Sequence, residues 1–240
     1  GFQSHAAGNI TFALGYRDSI TNVTGAAIMG GTSNLVSANY AFIGGGNNNE
    51  VNGVQGGAVG GSNNTASSTN SFVGGGNANT VSANNSAIAG GNGNTASGAT
   101  SFVGAGSSNT VTGADAAVMG NSNYVSGYAS AAGGQRNLVS GGYSFATGQD
   151  DTITASFAFA SGKSNKVANI YSAAIGQGNY VGGQKSLVGG QNSYMAQGNN
   201  SYSFVWGVSD SLSGNASALF GDRNTISGSW SFISGYGNSI

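Results

Sequence analysis

Gly61-Ser62-Asn63-Asn64-Thr65-Ala66-Ser67-Ser68-Thr69-Asn70-Ser71-Phe72-Val73-Gly74-Gly75 is followed at once by Gly76-Asn77-Ala78-Asn79-Thr80-Val81-Ser82-Ala83-Asn84-Asn85-Ser86-Ala87-Ile88-Ala89-Gly90. The two lines align without a gap: Gly61 over Gly76, Asn64 over Asn79, Thr65 over Thr80, Ala66 over Val81, Phe72 over Ala87. Working outward, the same Gly falls at 1, 15, 31, 46, 91, 106, 120, 134, 148, 162, 176, 190, 207, 221 and 235, so seventeen rungs fill the chain at steps of 14 or 15, with one of 16 and one of 17. Self-similarity at so short a period is the signature of a solenoid.

Five residues after each Gly stands an apolar residue in every rung, among them Ile20, Val36, Val51, Val81, Val111, Val139, Ile153, Val181, Met195, Leu212 and Ile240. It lies between polar neighbours, as in Thr80-Val81-Ser82, which is the period-two alternation of a strand with one buried face. A second short strand precedes each Gly, as in Ser71-Phe72-Val73 and Ser231-Phe232-Ile233. The absence of a 3.6 period and the β-branched and Gly content exclude helix. Fourteen residues at roughly 3.3 Å give a loop of about 46 Å, which suits a flat two-sided coil, and coils about 4.8 Å apart would stack sixteen steps into roughly 77 Å. The expected fold is an all-β parallel β-roll of 14–15 residue coils, with two short strands and two turns per coil.

Two further ranks are scaffold on this reading. The Gly serves a sharp corner with positive φ or a close backbone approach. The Asn or Asp three residues later, replaced only by Ser4 and Ser193, bonds turn amides and stacks as a ladder. In the strand before the Gly, Phe12, Ala27, Phe42, Gly57, Phe72, Ala87, Phe102 and Ala117 alternate large with small. Such alternation reads as rings overlying small neighbours inside a narrow core. Val73, Val103 and Ile233 would then face outward, and self-association along the length, by two rods face to face or three around an axis, would cover them.

Composition narrows the function. There are 45 Gly, no Pro, no Cys and only 5% charged residues, and six Lys plus Arg against seven Asp plus Glu leave a net charge of −1. That balance offers no footprint for nucleic acid or an anionic membrane surface. No stretch approaches 18 consecutive apolar residues, and no basic segment leads an apolar core at Gly1. His5 has no carboxylate at metal or triad spacing, and Asp18, Glu50, Asp115, Asp150, Asp151, Asp210 and Asp222 are scattered, three of them in the turn-anchoring rank. The Asp of the calcium-binding nonapeptide is replaced by Asn, and no Gly run is followed by Lys and Ser or Thr. The expectation is a non-enzymatic chain with no cofactor and no metal.

Two ranks remain as candidate surface. Just before the second strand, Tyr143, Phe157, Tyr171, Lys185, Tyr202, Ala216 and Trp230 occupy equivalent positions, so aromatics fill five of seven rungs. The enlarged rung adds Asn199 and Asn200 beside Tyr202, where a loop would bulge from the scaffold. The candidate ligand-contact residues are therefore Tyr143, Phe157, Tyr171, Asn199, Asn200, Tyr202 and Trp230. The other rank is a hydroxyl face: Thr65, Thr80, Thr95 and Thr110, with Ser67, Ser82, Ser97 and Thr112 two residues on, interrupted by Tyr124, Leu138, Lys166 and Tyr180. It offers an alternative reading as an ice- or carbohydrate-binding solenoid.

Ser172-Ala173-Ala174-Ile175-Gly176 and Ser144-Phe145-Ala146-Thr147-Gly148 resemble the repeats of YadA-like head domains of trimeric autotransporter adhesins. That resemblance implies a left-handed winding, a homotrimer, and a single head domain over residues 1–240 without signal peptide, stalk or anchor. It also implies display on the outer membrane of a Gram-negative bacterium, membrane association only through an anchor elsewhere, and adhesion to host extracellular matrix or cell-surface molecules. The Gly-Gly-Gly corners at 44–46 and 74–76 depart from that pattern.

Overall fold

The computed structural model describes residues 2–196 and 202–240. The chain divides into two compact units, Gly1–Asn123 and Tyr124–Ile240. Each is a parallel β-solenoid, and no helix occurs among the described residues.

In the first unit each coil gives one short strand to each of two parallel sheets. One sheet includes Leu35–Val36, Glu50–Val51, Thr65–Ala66, Thr80–Val81, Thr95–Ala96 and Thr110–Val111. The other includes Phe42–Ile43, Gly57–Ala58, Phe72–Val73, Ala87–Ile88, Phe102–Ser107 and Ala117–Asn121. Register follows the sequence period, Thr65 beside Thr80 beside Thr95 in one sheet and Gly57 beside Phe72 beside Ala87 in the other. The second unit repeats the plan with a step of 14, as in Leu138 beside Thr152 and Phe145 beside Phe159. Its second sheet has longer strands, such as Ala131–Gln135 and Phe145–Gln149, which run through the Gly. The fifteenth residue of the earlier coils interrupts that strand at the corner. The change of coil length is a β-bulge, since Phe102–Ser107 pairs with Ala117–Asn121 with a slip between Val103 and Gly106.

Each coil turns where two residues adopt positive φ, for example Asn63 at 57° and Asn70 at 56°. The corner Gly is a separate constraint. Gly61 has φ of 85°, and a Cβ there would lie 2.1 Å from the carbonyl oxygen of Gly76, so the coil above leaves no room for a side chain.

The interior is one residue thick from each sheet. Val36, Val51, Val81, Val111 and Ile153 point in from the first, and Ile43, Val73, Ile88, Val103 and Val118 from the second, all essentially unexposed. This corrects the expectation for the second strand. The Phe rank is outside, with Phe12, Phe42, Phe72 and Phe102 between 41 and 48% exposed, whereas Val73, Val103 and Ile233 are inside. In a strand of two residues, large–small alternation along the stack says nothing about facing. The lumen takes side chains that fit on every rung at a spacing of roughly 4.8 Å, and Val, Ile and Ala do so where a ring does not.

Two polar ladders line the lumen. The N–H of Asn64 donates to Oδ1 of Asn49 at 3.0 Å, and Nδ2 of Asn64 donates to the carbonyls of Gly60 and Gly76, each at 3.0 Å. The unit repeats at Asn79 and Asn94 and satisfies corner carbonyls that would otherwise be buried unpaired. A serine ladder runs opposite: Ser130 donates to the carbonyl of Gly141 at 2.8 Å and accepts the N–H of Ser144 at 3.0 Å, and Ser144 in turn accepts the N–H of Ala158 at 3.0 Å.

Candidate functional site

A lumen filled by these ladders leaves the outer faces of the sheets and the corners as the surfaces that can meet another molecule. On the first sheet of unit one, Thr65, Thr80, Thr95 and Thr110 lie side by side on four neighbouring strands, partly exposed, while Ala66, Val81, Ala96 and Val111 beside them are buried. Alternation in the strand forces this: Asn64 and Ala66 point in, so Thr65 points out. No protein atom bonds the hydroxyls of these four threonines among the described residues. Two residues on, Ser67 and Ser97 donate to the carbonyls of Val81 and Val111 at 3.2 and 3.3 Å, which fixes their orientation.

The result is a grid of hydroxyls and methyls spaced about 4.8 Å across the strands and about 6.6 Å along them. No charged residue stands in it, and Glu50, beside Thr65, marks its edge. The array is uncharged and regular. In unit two the same rank reads Tyr124, Leu138, Thr152, Lys166, Tyr180, Tyr194, Ser211 and Thr225, so no two threonines are neighbours, with the rings of Tyr180 and Tyr194 stacked at 5.0 Å and Lys166 Nζ 5.7 Å from the Tyr180 ring centre. The grid is a property of the first unit.

Residues 66–162 match the family model described as a grass antifreeze beta roll. The match covers 97 of 240 residues, including Thr80, Thr95, Thr110 and Thr152, so the likeness is stated for that stretch. Comparison with curated proteins gives no match. The family match corrects the resemblance to YadA-like adhesin heads, and with it the adhesin and autotransporter reading. The segments that carried that resemblance, such as Ser144 to Gly148, consist of a lumen Ser, an inward small apolar residue and a corner Gly. Each of those residues has its place set by the coil, facing the lumen or turning the corner.

The aromatic candidates lie at a corner, not on a sheet face. Tyr143, Phe157, Tyr171, Tyr202 and Trp230 all have positive φ, between 54° and 59°. Tyr143 and Phe157 stack at 5.0 Å and 5°, Phe157 and Tyr171 at 5.0 Å and 12°, and Tyr128 meets Tyr143 edge-on at 5.3 Å. Stacking along the column leaves Phe157 with both faces covered and only edges outward. Tyr202 instead accepts a hydrogen bond from Lys185 Nζ at 2.8 Å, and that bond raises the ammonium above its usual pKa. Tyr171, Lys185, Leu187, Tyr202 and Phe204 border an open groove of about 480 Å³. Trp230 is 86% exposed and stands apart from this column. Asn199 and Asn200 lie outside the described residues.

Charged groups form no cluster that could hold a metal among the described residues. Arg136 donates to both carboxylate oxygens of Asp150, at 2.6 and 2.7 Å, and this holds the exposed Asp150 below the usual carboxylate range. Asp18, Asp151 and Asp210 sit in the asparagine ladder, each almost fully buried with Oδ2 unpartnered. The serine ladder and the facing of the Phe rank were missed by sequence reasoning. Both had a signal: Ser recurs at 71, 86, 101, 130, 144, 172, 186, 203, 217 and 231, and the residue two places beyond it is apolar each time.

Proposed function

We propose that the chain is a non-catalytic ice-binding β-solenoid and that the threonine-bearing sheet of the first unit is the contact surface. The observation that carries this reading is the grid of Thr65, Thr80, Thr95 and Thr110, in direct register with hydroxyls unclaimed by protein. The antifreeze β-roll likeness across residues 66–162 supports it. A rigid two-sheet scaffold orders the array before contact, so little entropy is lost on adsorption. The methyl groups contribute apolar contact while the hydroxyls take positions in the ordered water layer.

Ice is favoured over carbohydrate because the exposed ring faces that stack on sugars are missing from this sheet in unit one, and in the corner column of unit two the rings of Tyr143, Phe157 and Tyr171 cover one another's faces. Left-handed winding, outer-membrane display and host-matrix partners are implied only through the head-domain resemblance, and ice binding requires none of them.

The test is thermal hysteresis and ice-crystal shaping by the purified chain. Faceted crystals and a measurable gap between melting and freezing are expected. Round crystals with no gap at submillimolar protein would overturn the reading.

A further inference from the structure

The outer face of the second sheet in unit one is apolar at every position. Its outermost rank is Phe12, Ala27, Phe42, Gly57, Phe72, Ala87, Phe102 and Ala117, and the parallel rank two residues on contains only Leu, Met, Gly, Val and Ala. The four Phe are 41 to 48% exposed, and Met29, Val59 and Met119 are 50 to 60% exposed. With large side chains of about 150–250 Å² each, that exposure is on the order of 700 Å², close to the roughly 800 Å² each partner buries in a standard stable interface.

The rings also lie low. A Cβ on Gly44 would meet Cε1 of Phe42 at 3.5 Å, one on Gly57 would meet Cδ2 of Phe72 at 3.5 Å and one on Gly104 would meet Cε1 of Phe102 at 3.6 Å, so these three rings lie against glycines. The face is therefore level as well as uncharged.

We infer that this face pairs with the same face of a second copy about a two-fold axis, with the coil stacks running in opposite directions. The order of the rank carries the inference. Read from the other end, Phe, Ala, Phe, Gly, Phe, Ala, Phe, Ala becomes Ala, Phe, Ala, Phe, Gly, Phe, Ala, Phe. Opposed in this way, every Phe meets a small residue: Phe12 over Ala117 of the second copy, Phe42 over its Ala87, and Phe72 over its Gly57. A copy of this chain has the matching repeat of one ring every two coils, about 9.6 Å, and a two-fold pairing closes on itself. A closed ring of three would need a second apolar patch on each copy, and the opposite sheet presents hydroxyls. The inference is of two copies, where the head-domain resemblance implies three. The match is confined to unit one, for Phe145 and Phe159 are direct neighbours in unit two.

The inference is independent of ice binding and is tested by sedimentation equilibrium of the full chain at micromolar concentration. The wild type is expected to be a dimer. The triple variant Phe42→Ser, Phe72→Ser, Phe102→Ser is expected to be monomeric with an unchanged β-sheet spectrum. The deciding variant is Ala87→Phe, which adds apolar area yet opposes a new ring to Phe42 of the second copy. It should raise the dissociation constant at least tenfold, and the adjacent rings of Phe145 and Phe159 show that the fold accepts such neighbours. A monomeric wild type, or tighter association of Ala87→Phe, would overturn the inference. Should the triple variant fail to fold, Ala87→Phe decides alone.

Discussion

Asp151 accepts both the N–H of Asn165, at 2.8 Å, and its side-chain Nδ2, at 3.0 Å, on the single oxygen Oδ1, while Oδ2 is buried without a partner. At other rungs Asn stands in this place, and its Nδ2 donates to two corner carbonyls, as Asn137 does to Gly133 and Gly148 at 2.8 and 3.1 Å. An ionised carboxylate therefore turns an acceptor towards acceptors. Burial raises the Asp151 carboxyl above its ordinary pKa of 3.8, and burial does the same to Asp210.

The pH dependence follows. A carboxyl with its folded pKa raised holds its proton more tightly in the native state, so its contribution to stability is complete below the unfolded value near 3.8 and declines as pH rises through the folded value. Asp151→Asn supplies the missing donor at every pH. It is expected to stabilise the fold by about 1–3 kcal/mol at pH 7, the cost of one unsatisfied buried polar atom, with the gain shrinking towards pH 4. Denaturant midpoints at the two pH values measure this. An equal gain at both, or a loss at pH 7, would contradict it.

The facing of the second sheet predicts opposite costs for adjacent residues. Ile88→Ala removes a fully buried side chain from the lumen and should cost about 2–5 kcal/mol. Ala87→Ser, one position earlier and outward, should stay within about 0.5 kcal/mol at concentrations where the chain is monomeric. Urea unfolding of both variants checks the pair.

Ice activity should be lost from one sheet alone. Thr80→Tyr and Thr95→Tyr together break the grid at its centre and should reduce thermal hysteresis at least fivefold without moving the thermal midpoint by more than a few degrees. Phe72→Ser, on the opposite sheet, should leave hysteresis per chain within about twofold. Equal sensitivity of the two faces would place contact elsewhere.

For the corner column, Phe157→Ser removes two stacked pairs and should destabilise the second unit by about 1–3 kcal/mol, given roughly 0.5–1.5 kcal/mol per aromatic pair. Hydrogen exchange within residues 131–171 would report it. Hysteresis should not change.

The period, the parallel pairing and the inward position of the fifth residue after Gly are legible in the sequence because each requires the same residue type on all rungs. The facing of Phe72 and Val73 is not legible from size alternation, since that pattern reflects what lies across the outer face as readily as what fills the lumen. Within-chain invariance was the better guide: Val73, Ile88, Val103 and Val118 stay apolar on successive rungs, whereas the Phe rank admits Gly57. The threonine rank was visible, and its interruption at Tyr124 and Leu138 obscured that one unit by itself carries the grid. The column from Tyr143 to Tyr171 was visible as a rank too, but ring-to-ring stacking depends on side-chain orientation that residue types do not fix.

The slip between Val103 and Gly106 joins coils of two lengths while Val111 and Val125 both stay inward. Corner length is thus decoupled from the lumen, and a whole rung can be copied or deleted with every ladder re-forming across the seam. For the threonine grid this makes the number of rungs a measure of size: one more duplicated Asn-Thr-Val-Ser rung widens the array by a single step of about 4.8 Å.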